Sequence, residues 1–138
     1  MKYLLKDRSF EWSETAVAHE VFKLGETEGT LFEIEFTLTF SFGFLEYAHD
    51  FVWVNKDVET LLEQLHKIGG KKSGTLSALS PGLSFSYEQS EHERDVYFFS
   101  VFMDAGYMNS YMGTETGLSI TLRTTWKEIK IWFASFIE

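Results

Sequence analysis

Thr30–Phe44 reads TLFEIEFTLTFSFGF. Phe32, Ile34, Phe36, Leu38, Phe40, Phe42 and Phe44 hold its even positions, and Glu33, Glu35, Thr37, Thr39 and Ser41 alternate with them. Side chains of a strand point to opposite faces in turn, so this pattern makes one oily face and one wet face. A helix would scatter the same residues around its axis. Full burial of the seven apolar side chains is worth at most about 10–20 kcal/mol before chain entropy is subtracted. A slip of one residue would bury Glu33 and Glu35, so the register is firmly set. Fifteen extended residues would reach about 50 Å, whereas a domain of this size is only about 35–40 Å across. The strand must therefore coil, bulge or stop, and Gly43 is the natural place.

The flanking segments supply partners. Ala16–Leu24 reads as a strand with Ala18, Phe22 and Leu24 on one side and His19, Val21 and Lys23 on the other. Gly25–Gly29 is a polar loop that makes the two strands a hairpin. Met1–Thr15 adds an edge strand at its apolar start. After the central strand, Leu45–Asp50 reads as a loop and Phe51–Val54 as a short strand covered on both faces.

Val58, Leu61, Leu62, Leu65 and Ile68 then follow the 3.6-residue period. Asp57 and Glu59 near the start and Lys67 near the end suit the helix dipole, and Gly69–Gly70 is the expected C-terminal stop. Thr75–Leu79, Leu83–Tyr87, Asp95–Asp104 and Leu118–Arg123 read as further strands, with Asp104–Gly117 as a long loop. Thr125 and Glu128 have capping-box spacing, and Ile129, Trp132, Phe133, Phe136 and Ile137 give a closing helix its apolar face. No sequence repeat, linker or low-complexity segment interrupts the chain. The expected fold is α+β: a single domain over 1–138, with one mainly antiparallel sheet and two helices, about 56–68 and 125–137, on one face.

Composition narrows the function. The 138 residues include fourteen Phe and four Trp, enough for one ordered core. Cysteine is absent, which removes disulfides and thiolate chemistry and suits a reducing compartment. Neither a signal-peptide core nor a membrane-length apolar run is read, so the expected location is cytoplasmic. The formal charge of −9 disfavours nucleic acid and anionic lipid and favours basic partners.

There is no Walker loop, GxGxxG, HExxH or GxSxG. His49 beside Asp50, and His92 between Glu91 and Glu93, lack metal-ligand spacing, so neither a metal nor a cofactor is expected. Glu33 and Glu35 stand about 7 Å apart by strand rise, a separation an inverting glycosidase could use. An exposed strand that carries charge on its wet face produces the same pair. Asp104–Gly117 combines Tyr107, Met108, Asn109, Tyr111 and Met112 with Gly106 and Gly113. Tyr and Met are the side chains of adaptable contact loops. The candidate binding residues are therefore Glu33, Glu35, Tyr107, Met108, Asn109 and Tyr111.

The order of parts is a long alternating strand, an aromatic strand with Trp53, a Leu-rich helix over Val58–Ile68, several strands and a closing helix. It resembles the small immunity proteins of bacterial polymorphic toxin systems, in particular the family that guards against wall-associated contact-dependent toxins. The resemblance covers about 16–137. It implies a cytoplasmic, non-enzymatic protein that neutralises a cognate toxin by binding it, and it carries over no catalytic or contact residue. The alternatives are a small-molecule-binding domain and a hydrolase of unrecognised type.

Overall fold

The computed structural model describes residues 1–26, 29–68, 72–110 and 112–137. The first half of the chain is a meander of β1 (Lys2–Lys6), β2 (Thr15–Glu26), β3 (Phe32–Phe42) and β4 (Glu46–Val54), followed at once by helix α1 (Asn55–Ile68). The second half repeats the plan with β5 (Ser73–Ser77), β6 (Leu83–Gln89), β7 (Val96–Asp104) and β8 (Gly117–Thr125), then helix α3 (Trp126–Ala134). Helix α2 (Ala105–Ser110) is inserted between β7 and β8, and a 3-10 turn over Ser135–Ile137 closes the chain. The repeat lies in topology and has no counterpart in the residues.

The α+β class is as expected, but the described residues form two four-stranded antiparallel sheets rather than one. The two sheets come together where β1 and β8 meet. The Arg8 N–H donates to the Arg123 carbonyl at 2.8 Å. The Arg123 N–H, however, donates to the Asp7 carboxylate at 2.9 Å. A side chain takes the acceptor's place in the ladder, and backbone pairing goes no further. Burial opposes ionisation of Asp7, but this N–H and the hydroxyls of Ser9 and Ser13 outweigh it and hold the pKa below the ordinary carboxylate value.

β3 is an inner strand, paired with β2 and β4. Ile34, Phe36, Leu38 and Phe40 are fully buried, as the alternation requires. The strand stops at Phe42, and Gly43 turns the chain at φ +81. Phe44 lies beyond that stop and is fully exposed, so it does not share the oily face. Residues 46–50, expected as a loop, pair with β3 from Ser41↔Glu46 to Thr37↔Asp50. Val52 on β4 is half exposed, so that strand is covered on one face only. In β2 the register shifts between Val21 and Lys23, which makes Phe22 the extra residue of a bulge. Past the bulge Leu24 stands beside Ile34, on the same side as His19, so the strict alternation read from the sequence does not hold along this strand; Phe22 and Leu24 are exposed and His19 is buried.

α1 buries Val58, Leu61 and Leu65. The Asp57 carboxylate ties its first turn to both halves, accepting from Val54 N–H at 2.8 Å, Ser80 N–H at 2.7 Å and the Ser80 hydroxyl at 2.8 Å. The expected Gly69–Gly70 stop lies outside the described residues. Thr125 caps α3 by accepting from Glu128 N–H at 3.3 Å. The Glu128 carboxylate completes only half a capping box, because it takes the Thr124 hydroxyl and the Arg8 guanidinium instead. Ile129, Trp132, Phe133 and Phe136 are buried and Ile137 is half exposed. One core joins both sheets and both long helices. At its centre Trp53 meets Phe36, Phe85 and Phe136 with ring centroids 4.8, 6.3 and 5.0 Å apart.

Candidate functional site

The outer face of the first sheet follows from the strand register. Glu33 and Glu35 on β3 stand beside Val54 and Val52 of β4, and Thr37 stands beside Asp50. On β2 the same face carries Glu20 and Lys23. The Lys23 ammonium pairs with Glu35 at 3.4 Å, and the Thr37 hydroxyl donates to Asp50 at 2.6 Å. Glu20, Glu33, Glu35, Glu46 and Asp50 thus share the outer face with Lys23 on β2 and, on the neighbouring edge strand β1, with Lys2 beside Glu20 and Lys6 beside Ala16. Acidic side chains outnumber basic ones on it, five to three.

The Asp104–Gly117 segment, expected as a loop, begins as helix α2. The Asp104 carboxylate is its organiser. One oxygen accepts from Gly106 N–H at 2.8 Å and Tyr107 N–H at 3.2 Å, and the other from Glu115 N–H at 2.8 Å. Thr114 adds its N–H at 3.1 Å and its hydroxyl at 3.2 Å. Burial works against the ionised form, but these donors prevail and keep the pKa below the usual carboxylate value. The return path requires Gly106, because a Cβ there would collide with the Met112 carbonyl oxygen.

Tyr107 is half buried beside Gly82 and Gly113. Met108 packs on the core and receives the Tyr47 hydroxyl at 3.9 Å on its sulfur. Asn109 belongs to α2, and Tyr111 lies outside the described residues.

The candidate residues do not form one surface. Met108 meets Tyr47, which pairs with Phe40 on the core side of β3. Glu33 is on the outer side and seven residues away along the same strand, roughly 23 Å by strand rise.

Sequence reasoning missed a groove of about 690 Å³ between β1, the 7–13 loop and α3. Leu4, Phe10 and Ile131 give it apolar walls, and Arg8 and Glu128 line it as an ion pair at 2.7 Å. Trp132 and Ser135 form part of its floor. Behind them lies His19, with Nε2 at 2.9 Å from the Trp132 carbonyl and 2.8 Å from the Ser135 hydroxyl. Burial depresses the His19 pKa to about 4, against the opposing effect of the Trp132 carbonyl. The apolar start of the chain was the one signal for this groove. His19 and Ser135 are too far apart in sequence to be associated by any local pattern.

His49 sits on β4 with its ring edge-on to Phe51, 5.1 Å between centroids. Among the described residues no three His, Cys, Asp or Glu side chains converge as metal ligands, and no helix is long and apolar enough to cross a membrane. Comparisons with protein-family models, curated proteins and solved structures returned no match.

Proposed function

We propose that this chain is a non-enzymatic binding protein, an immunity protein that neutralises a cognate bacterial toxin in the cytoplasm by direct contact. The observation that carries this reading is the acidic face of β2–β4. Glu20, Glu33, Glu35, Glu46 and Asp50 are displayed there in a chain of net charge −9. Such a face accelerates encounter with a basic domain and repels nucleic acid. Toxins that act on nucleic acid need basic sites, and an acidic protein of this size can cover one. The resemblance in element order supports the same reading.

The test is capture of the partner from the native host, followed by co-expression of the two. The expected result is a stoichiometric complex with a basic protein whose toxicity is relieved by this chain. A partner that remains toxic at full occupancy overturns the proposal. A second reading, small-molecule binding, is favoured by the groove between β1 and α3, whose size lies within the range of ligand pockets. Native mass spectrometry of the freshly purified protein separates the two, because only a ligand-binding domain would carry a small molecule into the gas phase.

A further inference from the structure

The turn between β3 and β4 exposes more apolar surface than the fold requires. The Phe42 N–H donates to the Leu45 carbonyl at 2.8 Å, and Gly43 adopts φ +81 between them. This closure throws Phe44 wholly into solvent, at 101% of its reference exposure, and leaves Leu45 at 60% and Phe42 at 43%. The pairing Thr15↔Phe42 brings the end of the 7–14 loop to the same end of the sheet. That loop exposes Trp12 at 77%, and its Glu14 side chain lies against Gly43.

We infer that this tip is the anchoring surface for a protein partner that offers an apolar pocket rimmed by basic side chains. The inference rests on the binding reading above and names where that binding is strongest. Phe44 is held on a short turn between two paired strands, so inserting it orders little that is not already ordered. A rigid aromatic ring that fills a pocket is the usual form of a binding hot spot. The ionised side chains that flank it, Glu14 and Glu46, are both exposed and both acidic. The nearest cation by register, Lys6, stands across the sheet on β1, in line with Ala16, Ser41 and Glu46. Carboxylates at the tip repel an anionic bilayer. They also oppose docking of a second copy, which would bring Glu14 and Glu46 against themselves. A basic rim on another protein is the complement.

The test places the photoreactive residue benzoylphenylalanine at position 44, and in a control at position 98. Phe98 is also exposed but lies on β7 in the second sheet. Both proteins, verified as folded by melting, are irradiated in the native host. The expected product is a crosslink from position 44, and not from 98, to a protein of net positive charge. That protein is then purified and its binding measured. Phe44→Ala should weaken affinity about 30-fold, and Glu14→Lys with Glu46→Lys should slow association about tenfold. A crosslink to lipid, to a second copy, or equally from both positions overturns the inference, as does unchanged affinity in Phe44→Ala. If the wild-type chain binds its basic partner while position 44 proves irrelevant, the inference falls and the binding reading stands. If the wild-type chain binds no basic protein, both fall.

Discussion

The Nε2 atom of His19 lies 2.8 Å from the Ser135 hydroxyl across 116 residues of sequence. The Ser135 hydroxyl donates to the Trp132 carbonyl at 2.6 Å. Nε2 also approaches that carbonyl, at 2.9 Å. A carbonyl can only accept and the serine proton is already committed, so Nε2 carries the imidazole proton and donates. Nδ1 has no protein partner among the described residues, and the ring stacks on Phe136 with centroids 3.6 Å apart. His19 is thus a neutral clamp between β2 and the end of α3.

This clamp makes stability depend on pH in a definite direction. Burial lowers the folded pKa of His19 from 6.5 to about 4. Between those values the unfolded chain binds a proton that the folded chain refuses, so stability falls as the pH falls. The contribution is complete above about pH 6.5 and lost through about pH 4, roughly 3 kcal/mol in all. The lowered carboxylates Asp7 and Asp104 lose their contributions only below their ordinary value of 3.8. Urea midpoints measured from pH 7.5 to 4.5 should drop for the wild type. His19→Gln keeps a donor but cannot titrate, so it should start lower and vary less over this range. Parallel curves for the two proteins would show that His19 titrates normally.

The same geometry bears on catalysis. A serine nucleophile needs a bare imidazole nitrogen to take its proton, and the nitrogen facing Ser135 is occupied. Ser135 is therefore expected not to react with a fluorophosphonate probe at pH 8, and the protein should show no esterase turnover. Labelling that Ser135→Ala abolishes would restore the hydrolase alternative.

What was legible in the sequence was local. The alternation of Ile34, Phe36, Leu38 and Phe40 and the spacing of Val58, Leu61 and Leu65 both report which side faces the core, and both are buried as read. The bulge at Phe22 moves Leu24 to the same side as His19, and no residue announces it, so strict alternation could not assign the sides of this strand. Phe44 does not share the oily face because the strand ends at Phe42 and Gly43 turns the chain at the very next residue. Residues 46–50 look polar because one face of β4 is open, and only pairing with β3 makes them a strand. The break between the sheets, where the Asp7 carboxylate and not a backbone carbonyl accepts from the Arg123 N–H, joins residues 116 positions apart and has no local signature. Of the candidate site, the chemistry of each residue was readable, but the separation of Glu33 from Met108 depends on strand direction and face.

The two faces of β3 can be tested directly. Phe36 is fully buried among Phe51, Trp53 and Phe136. Loss of the ring alone costs about 3–5 kcal/mol, and Phe36→Asp adds an unpaired buried charge. That variant should not fold at 25 °C. Thr37, one residue on, lies on the outer face between Glu20 and Asp50. Thr37→Lys loses a hydrogen bond but gains two acidic neighbours, so its melting temperature should stay within a few degrees of wild type. Circular dichroism melts of both variants decide the matter, and equal damage would mean that the facial assignment is wrong.

Binding kinetics can separate steering from anchoring on the surfaces read from sequence. Glu33 and Glu35 lie on the open acidic face, where charge acts mainly on association. Glu35 is paired with Lys23 at 3.4 Å, and Glu33 makes no ion pair among the described residues. Each substitution nonetheless removes one negative charge from the face, so Glu33→Gln and Glu35→Gln should slow association to similar extents, and the double variant should show the weakest salt dependence. Tyr107 is half buried against Gly82 and Gly113, so its truncation could act through folding or through contact. Tyr107→Phe keeps the packing and removes the hydroxyl, and Tyr107→Ala removes both. If the ring is an anchor, Tyr107→Ala should raise the dissociation rate by about 2 kcal/mol or more, while Tyr107→Phe stays near wild type in melting temperature. Rates measured at 50 and 300 mM salt against the isolated basic partner supply the comparison. Unchanged association in both glutamate variants, with their folding intact, would place the steering charge away from β3.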